Sequence, residues 1–304
     1  MTIVLFETVA REWFARWRQE CVEHYAAESW RRFEREILPV LGHVPIRRVT
    51  APMILRMLRR MESRGVRVPA RKARSHVSQI MRYGIACGYV DRDPARDLAY
   101  ALSPHRSEPR AALLDQRAIG GLMRDISLYP WRQRCHAMTL AVLLFVRSGE
   151  LAQAEWTEIS WDDALWRIPA AKMKMRRPHD VPLARQALDA LRAQRRISGQ
   201  CRWVFPSRRD KNRHEQGRCL TSCLRRMGYA PGELTAHGFR AMAATTLSEM
   251  GWPSEVIERQ LAHADRNRVR AAYQRSELLE ERRRMMQAWA DWLDLRHAWA
   301  ILGR

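Results

Sequence analysis

The chain has 304 residues, and its 54 Lys plus Arg outnumber 33 Asp plus Glu to give a formal net charge of +21. That length holds two ordinary domains, and 46% hydrophobic content with twelve Trp excludes a disordered chain. The longest unbroken apolar run, Leu140 to Val146, falls far short of the ~20 residues a membrane-spanning helix needs. The start, MTIVLFETVAREW, has no basic region and only a very short apolar run, so no secretion leader is expected. Six Cys are scattered without a CxxC pair, which gives neither a disulfide framework nor a zinc site. Cys219 and Cys223, with Cys201 and His214 nearby, come nearest to a metal set; plain thiols are the preferred reading, and no metal or cofactor is expected. A reduced cytoplasm fits this cysteine usage.

Residues 1–110 carry 21 basic and 12 acidic groups, so the positive excess runs through both parts of the chain. A protein of this kind suits a polyanion gripped by its whole body, with affinity gained by displacing counterions from phosphates. Arg dominates, and its planar guanidinium suits bidentate phosphate contact.

The first hundred residues read as four helices. Phe6, Val9, Trp13 and Trp17 form one stripe at helical spacing, and Trp30, Phe33 and Ile37 a second, interrupted by Pro39 and Gly42. Thr50 is the expected cap of a third helix, with Pro52 in its first turn and Met53, Ile54, Met57, Leu58 and Met61 inward. Val77, Ile80, Met81 and Ile85 mark a fourth, ended by Gly88 and Asp91-Arg92-Asp93-Pro94. The faces between these stripes are rich in Arg, and Arg31, Arg32, Arg35, Arg71, Lys72 and Arg74 are the candidate DNA contacts. Residues 101–110, ALSPHRSEPR, read as a linker. Helices follow at Ile119–Met123 and His136–Val146. Short segments at Ile159–Trp161, Ala164–Ile168, Lys172–Arg176 and Asp180–Leu183 then predict a small antiparallel meander, after which helices continue to the end. The expected organisation is a helical domain over 1–100, a linker, and a mostly helical domain with one small sheet over 111–304.

Candidate chemistry gathers in the second domain. FVRSGEL places Arg147 after the apolar helix, with Glu150 positioned to hold its guanidinium. Lys174 lies toward a hairpin turn, with Lys172 as its rival. LTAHGFRAMA sets His237 and Arg240 three apart, on one side of a helix. His263 ends the following helix, and ten residues later Tyr273 sits among basic residues in DRNRVRAAYQR.

The order FVRSGEL, MKM hairpin, TAHGFR, LAH and the YQR tyrosine resembles the catalytic signature of tyrosine recombinases. IPAAKMKMRRPHDVPL and ERQLAHADRNRVRAAYQR are similar to the P4-type prophage and genomic-island integrases. PVLGHVPI, VTAPMI and IACGYVDRDPARDL resemble that subgroup's core-binding domain, so the likeness runs from Phe6 to the Trp289–Leu293 segment. The resemblance implies a mainly α chain: a four-helix, SAM-like core-binding domain and a catalytic domain closing as a clamp on duplex DNA. It also implies site-specific cleavage and religation through a 3′-phosphotyrosine, without metal or cofactor, to integrate or excise a mobile element. Tyr273 would be the nucleophile, Arg147 and Arg240 the phosphate clamp, Lys174 the general acid, His237 the base and His263 a phosphate ligand. Glu150 would support Arg147.

The implied partners are double-stranded DNA and further copies of the chain, four at a crossover, with room for an accessory DNA-bending or directionality factor. The implied location is cytoplasmic, at the nucleoid. The helix of Met285, Trp289, Trp292, Leu293 and Arg296 reads as core packing, or as a segment docking on a neighbouring protomer. No N-terminal arm-binding domain of the subgroup's kind is recognisable, which leaves either a shortened chain or recombination without arm sites. The competing readings are a type IB topoisomerase and a decayed integrase that only binds DNA.

Overall fold

Residues three and four apart make the inner side of each helix in the first part of the chain. α1 (Phe6–Trp17) buries Phe6, Val9, Ala10 and Trp13, and α3 (Ala51–Ser63) buries Ile54, Met57, Leu58 and Met61. α4 (Arg67–Ala86) turns Ala70, Ala73, Val77, Ile80 and Met81 inward. Together with α2 (Glu23–Arg32) they enclose one core that includes Phe33, Ile37 and Leu41. The structure is a computed structural model and describes residues 3–21, 23–104, 111–263 and 278–303. The chain falls into two units, Met1–Glu108 and Pro109–Arg304.

Two local expectations are corrected in this unit. The second helix does not stop at Pro39: α2 continues through Phe33–Gly42 in widened, π-type turns with Pro39 inside. A widened turn bonds i to i+5, which leaves room for the proline ring against the preceding turn. Thr50 holds the cap position of α3 in extended backbone, but its hydroxyl makes no capping bond, and Pro52 alone marks the start. Leu102, inside the stretch read as a linker, is buried in the first core.

The second unit is built around α6 (Arg132–Leu144), which buries Met138 and every residue from Leu140 to Leu144. α5 (Gln116–Ser127), capped by the Asp115 carboxylate on Ala118 N–H at 2.8 Å, packs against it. α7 (Ser148–Ala152) follows α6. β1 (Ile159–Ser160), β2 (Leu165–Ile168) and β3 (His179–Pro182) then form an antiparallel sheet in that order. β2 pairs with β3 in the register Trp166 to Val181 and Ile168 to His179. The expected strand at Lys172–Arg176 is absent: Ala170–Lys172 is a short 3-10 turn, and a loop leads on to β3. α8 (Arg185–Ser198), α9 (Arg218–Arg226), α10 (Gly238–Glu249) and α11 (Ser254–Gln260) complete this layer. α12 (Leu279–Ile301) sends Met285, Met286, Trp289 and Leu293 into the same core, and Trp289 Nε1 donates to the Val142 carbonyl at 3.1 Å. No helix among the described residues is long and apolar enough to cross a membrane.

Candidate active site

The end of α6 sets the site. Phe145 closes that helix in the left-handed region, at φ 39°, which costs a non-glycine residue about 1–2 kcal/mol. The conformation is held by complete burial of the Phe145 ring and by its carbonyl, which accepts from Arg240 Nη1 at 2.8 Å. Two residues on, Arg147 stands at the N-cap of α7 with its side chain about one quarter exposed. The buried Glu150 carboxylate accepts from Arg147 N at 2.9 Å and from Arg147 Nη1 at 2.8 Å, so one carboxylate fixes both backbone and guanidinium. Gly217 makes this fit possible, because a Cβ there would lie 2.9 Å from the Ser148 backbone.

Arg240, on α10, is 4% exposed. Its fork donates to Phe145 O, to Leu261 O at 2.6 Å and toward His263 Nε2 at 3.3 Å. Burial and then the nearby Arg147 charge lower its guanidinium to about 10, so it remains protonated at neutral pH. Because Arg240 donates, His263 Nε2 accepts, and its Nδ1–H donates to Glu258 at 2.5 Å. His237 is the exposed N-cap of α10, one turn before Arg240. The glycine between them is sterically required: a Cβ on Gly238 would lie 2.2 Å from the Ala111 carbonyl.

The two hairpin lysines separate cleanly. Lys172 Nζ donates to Gln153 O at 2.6 Å and Glu155 at 2.8 Å, and also to Glu158. Lys174 lies exposed on the loop, between buried Met173 and Arg176 at φ 51°. Tyr273 lies outside the described residues.

Among the six basic residues singled out in the first unit, Arg31, Arg35 and Lys72 are exposed, with Arg35 pairing to Glu36 at 2.9 Å. Arg32 is mostly covered and pairs with Glu28 at 3.2 Å. Arg71 donates to Ser103 O, and Arg74 to the carbonyls of Ala95 and Arg96, so these two fasten the end of the unit onto α4. Sequence reasoning missed His179, Gln260 and Arg282, which meet beneath the site; only the apolar neighbours of His179 in RPHDVPL hinted that it points inward. No group of three metal-ligating residues occurs among the described residues.

Residues 114–279 match the phage integrase family, and residues 6–101 match the phage integrase central domain. The integrase of Enterobacteria phage P4 is 39% identical over 95% of this chain and 69% of its own length. Prophage integrase IntA of Escherichia coli (strain K12) is 36% identical over 94% of this chain and 69% of its own length. Among solved structures, a lambda integrase dimer bound to a COC′ core site aligns with TM-score 0.69 at 18% identity, over 90% of this chain and 78% of that one. A Tn1549 transposon integrase with circular intermediate DNA aligns with TM-score 0.63 at 14% identity, over 88% of this chain and 99% of that one. The chain belongs to the phage integrase family, in its P4-type branch of tyrosine recombinases. Its activity is site-specific recombination, the cleavage and rejoining of DNA strands.

Proposed function

We propose that Arg147 and Arg240 clamp the scissile phosphate and that Tyr273 attacks it. The observation carrying this reading is the convergence of two cations at the end of α6. One is fixed by buried Glu150 and the other by two main-chain carbonyls. Such cations favour an anion beside them, and charge gathers on the non-bridging oxygens of a phosphodiester under attack.

A bond forms from the Tyr273 oxygen to phosphorus, and the bond from phosphorus to the 5′ oxygen breaks. A phenol ionises near ~10, so its proton needs an acceptor; His237 takes that role. Lys174 supplies the proton to the leaving 5′ oxygen. Lys172 is the weaker choice because its ammonium is already held by two carboxylates and a carbonyl. His263 acts through Arg240, steadying its fork. Reversal by an incoming 5′-hydroxyl reseals the strand, and the energy of the broken bond stays in the phosphotyrosine.

The substrate is duplex DNA carrying attachment or crossover sites. Arg31, Arg35 and Lys72 are the first choices for phosphate contacts in the helical unit, ahead of Arg32, Arg71 and Arg74. A related lambda integrase has been solved as a tetramer bound to a Holliday junction, which supports four copies of this chain at a crossover. The working location is the nucleoid, with direction set by an accessory DNA-bending or directionality factor. Denaturant trapping of covalent protein–DNA adducts tests the scheme: wild type gives adducts at one short sequence, and Tyr273→Phe gives none while still binding DNA. Adducts from Tyr273→Phe would sink the assignment of the nucleophile.

A further inference from the structure

Gln260 ends α11 and Arg282 lies in the first turn of α12, so the two bracket the stretch that contains Tyr273. Their side chains meet in the interior. Arg282 Nε and Nη2 donate to Gln260 Oε1 at 3.0 and 2.7 Å, and both residues are 0% exposed. Arg282 also donates to the Asp180 carbonyl at the start of β3. His179, the residue before, donates from Nε2 to the Gln260 carbonyl at 3.1 Å, and Gln260 Nε2 reaches Leu144 O at 3.5 Å. One buried point therefore ties together the ends of α6 and α11 and the starts of β3 and α12.

The next residue along two of these elements serves the phosphate clamp. Phe145 follows Leu144 and Leu261 follows Gln260, and their carbonyls are the ones that hold Arg240. Arg147 follows two residues after Phe145. Burying a guanidinium costs several kcal/mol that a leucine or methionine would avoid. What a satisfied polar network adds is a unique geometry. Burial, with Arg282 next in importance, lowers His179 to about 3, so the ring is neutral at pH 7 and its Nε2–H is free to donate.

We infer that the Arg282–Gln260–His179 knot is a positioning device for the nucleophile, holding both flanks of the Tyr273 stretch in register with Arg147 and Arg240. The inference rests on reading Tyr273 as the attacking group. None of the three residues touches DNA in this scheme; they act through what they hold.

The experiment is single-turnover adduct formation on a nicked suicide duplex at saturating protein, with DNA affinity and urea unfolding measured alongside. Arg282→Met keeps the length of the side chain and removes the fork; the expected result is at least a tenfold slower cleavage with Kd changed less than twofold. Arg282→Lys keeps the charge without the fork and is expected to be slowed as well; it carries the test if the methionine variant does not fold. Leu293→Ala, about three turns further along α12, is the control for stability alone and should cleave within threefold of wild type. Cleavage by the folded Arg282 variants within threefold of wild type, or an equal loss in Leu293→Ala, overturns the inference. Tyr273→Phe run in the same assay keeps the two readings apart, because adducts from that variant would implicate the nucleophile assignment and not the knot.

Discussion

Arg240 carries a charge that water would solvate better than protein does, and it is kept in place by what its fork touches. Two carbonyls separated by over a hundred residues of chain converge on it, each taken by its own nitrogen of the planar fork. His179 shows the opposite device, a titratable ring kept neutral so that it can donate a single hydrogen bond. Its ordinary pKa is 6.5, and in the folded protein it falls to about 3. The unfolded chain therefore takes up a proton as pH drops below 6.5 while the folded chain does not. Stability from this residue is complete above that pH and declines on acidification toward 3, by about 1.4 kcal/mol per pH unit. Comparing urea unfolding at pH 7.5 and 5.5, wild type should lose about 1.4 kcal/mol more than His179→Gln, which keeps a donor but cannot titrate. Equal losses in the two proteins would show that the ring is not kept neutral.

The connection between β2 and β3 holds its two lysines in different surroundings. Its base is fixed by Lys172 among Glu155, Glu158 and Gln153 O, directly after α7 and Arg147. Glu155 is lowered to about 2, first by hydrogen bonds from Arg202 and then by Lys172. The stabilisation is therefore present above about pH 4.5 and is lost as pH falls toward 2. Lys172→Met leaves two covered carboxylates without their shared cation, and a loss of about 2–4 kcal/mol is expected. If Lys174 is the acid and Lys172 aims its loop, both Lys172→Met and Lys174→Ala should cleave slowly. Both should recover on DNA with sulfur in place of the 5′ bridging oxygen, since a thiolate leaves without a proton. Failure of that substrate to rescue Lys174→Ala would remove the lysine from the proton-transfer step.

For the whole molecule, the positive excess of +21 is not matched by one dedicated basic tail, so affinity should fall with salt through contacts spread over both units. Assembly is a separate question, and α12 is the element on which to test it. Removing the chain beyond about Gln287 would take Trp289 and Leu293 out of the core, so any failure of such a variant would report unfolding and not lost association. The outward side of the same helix offers a cleaner probe, because Leu295 and Trp299 are exposed. Leu295→Asp with Trp299→Asp should leave binding to a single half-site within twofold and shift DNA complexes from four copies to fewer in sedimentation. Unchanged tetramers would place the protomer contact elsewhere.

Short-range pattern was enough for much of this protein. The stripes of α1, α3, α4 and α6 follow from 3.6-residue spacing, and the ordered motifs around Arg147, His237, Arg240 and His263 fall where helices begin and end. Those features are local, so the sequence determines them without reference to the rest of the fold. Where partners lie far away in the chain, it did not. Pro39 stayed inside a helix because the turns around it are widened and the neighbouring Ile37 and Leu41 are buried in the core. Lys172–Arg176 failed to become a strand because Lys172 is drawn to carboxylates some 15 residues earlier. The surroundings of Lys172 and Lys174, identical residue types two positions apart, were set by tertiary contacts alone. Gln260, Arg282 and His179 carry no motif that marks them, and only folding brings them to one buried point, where an unpaired polar group would be too costly to leave unsatisfied.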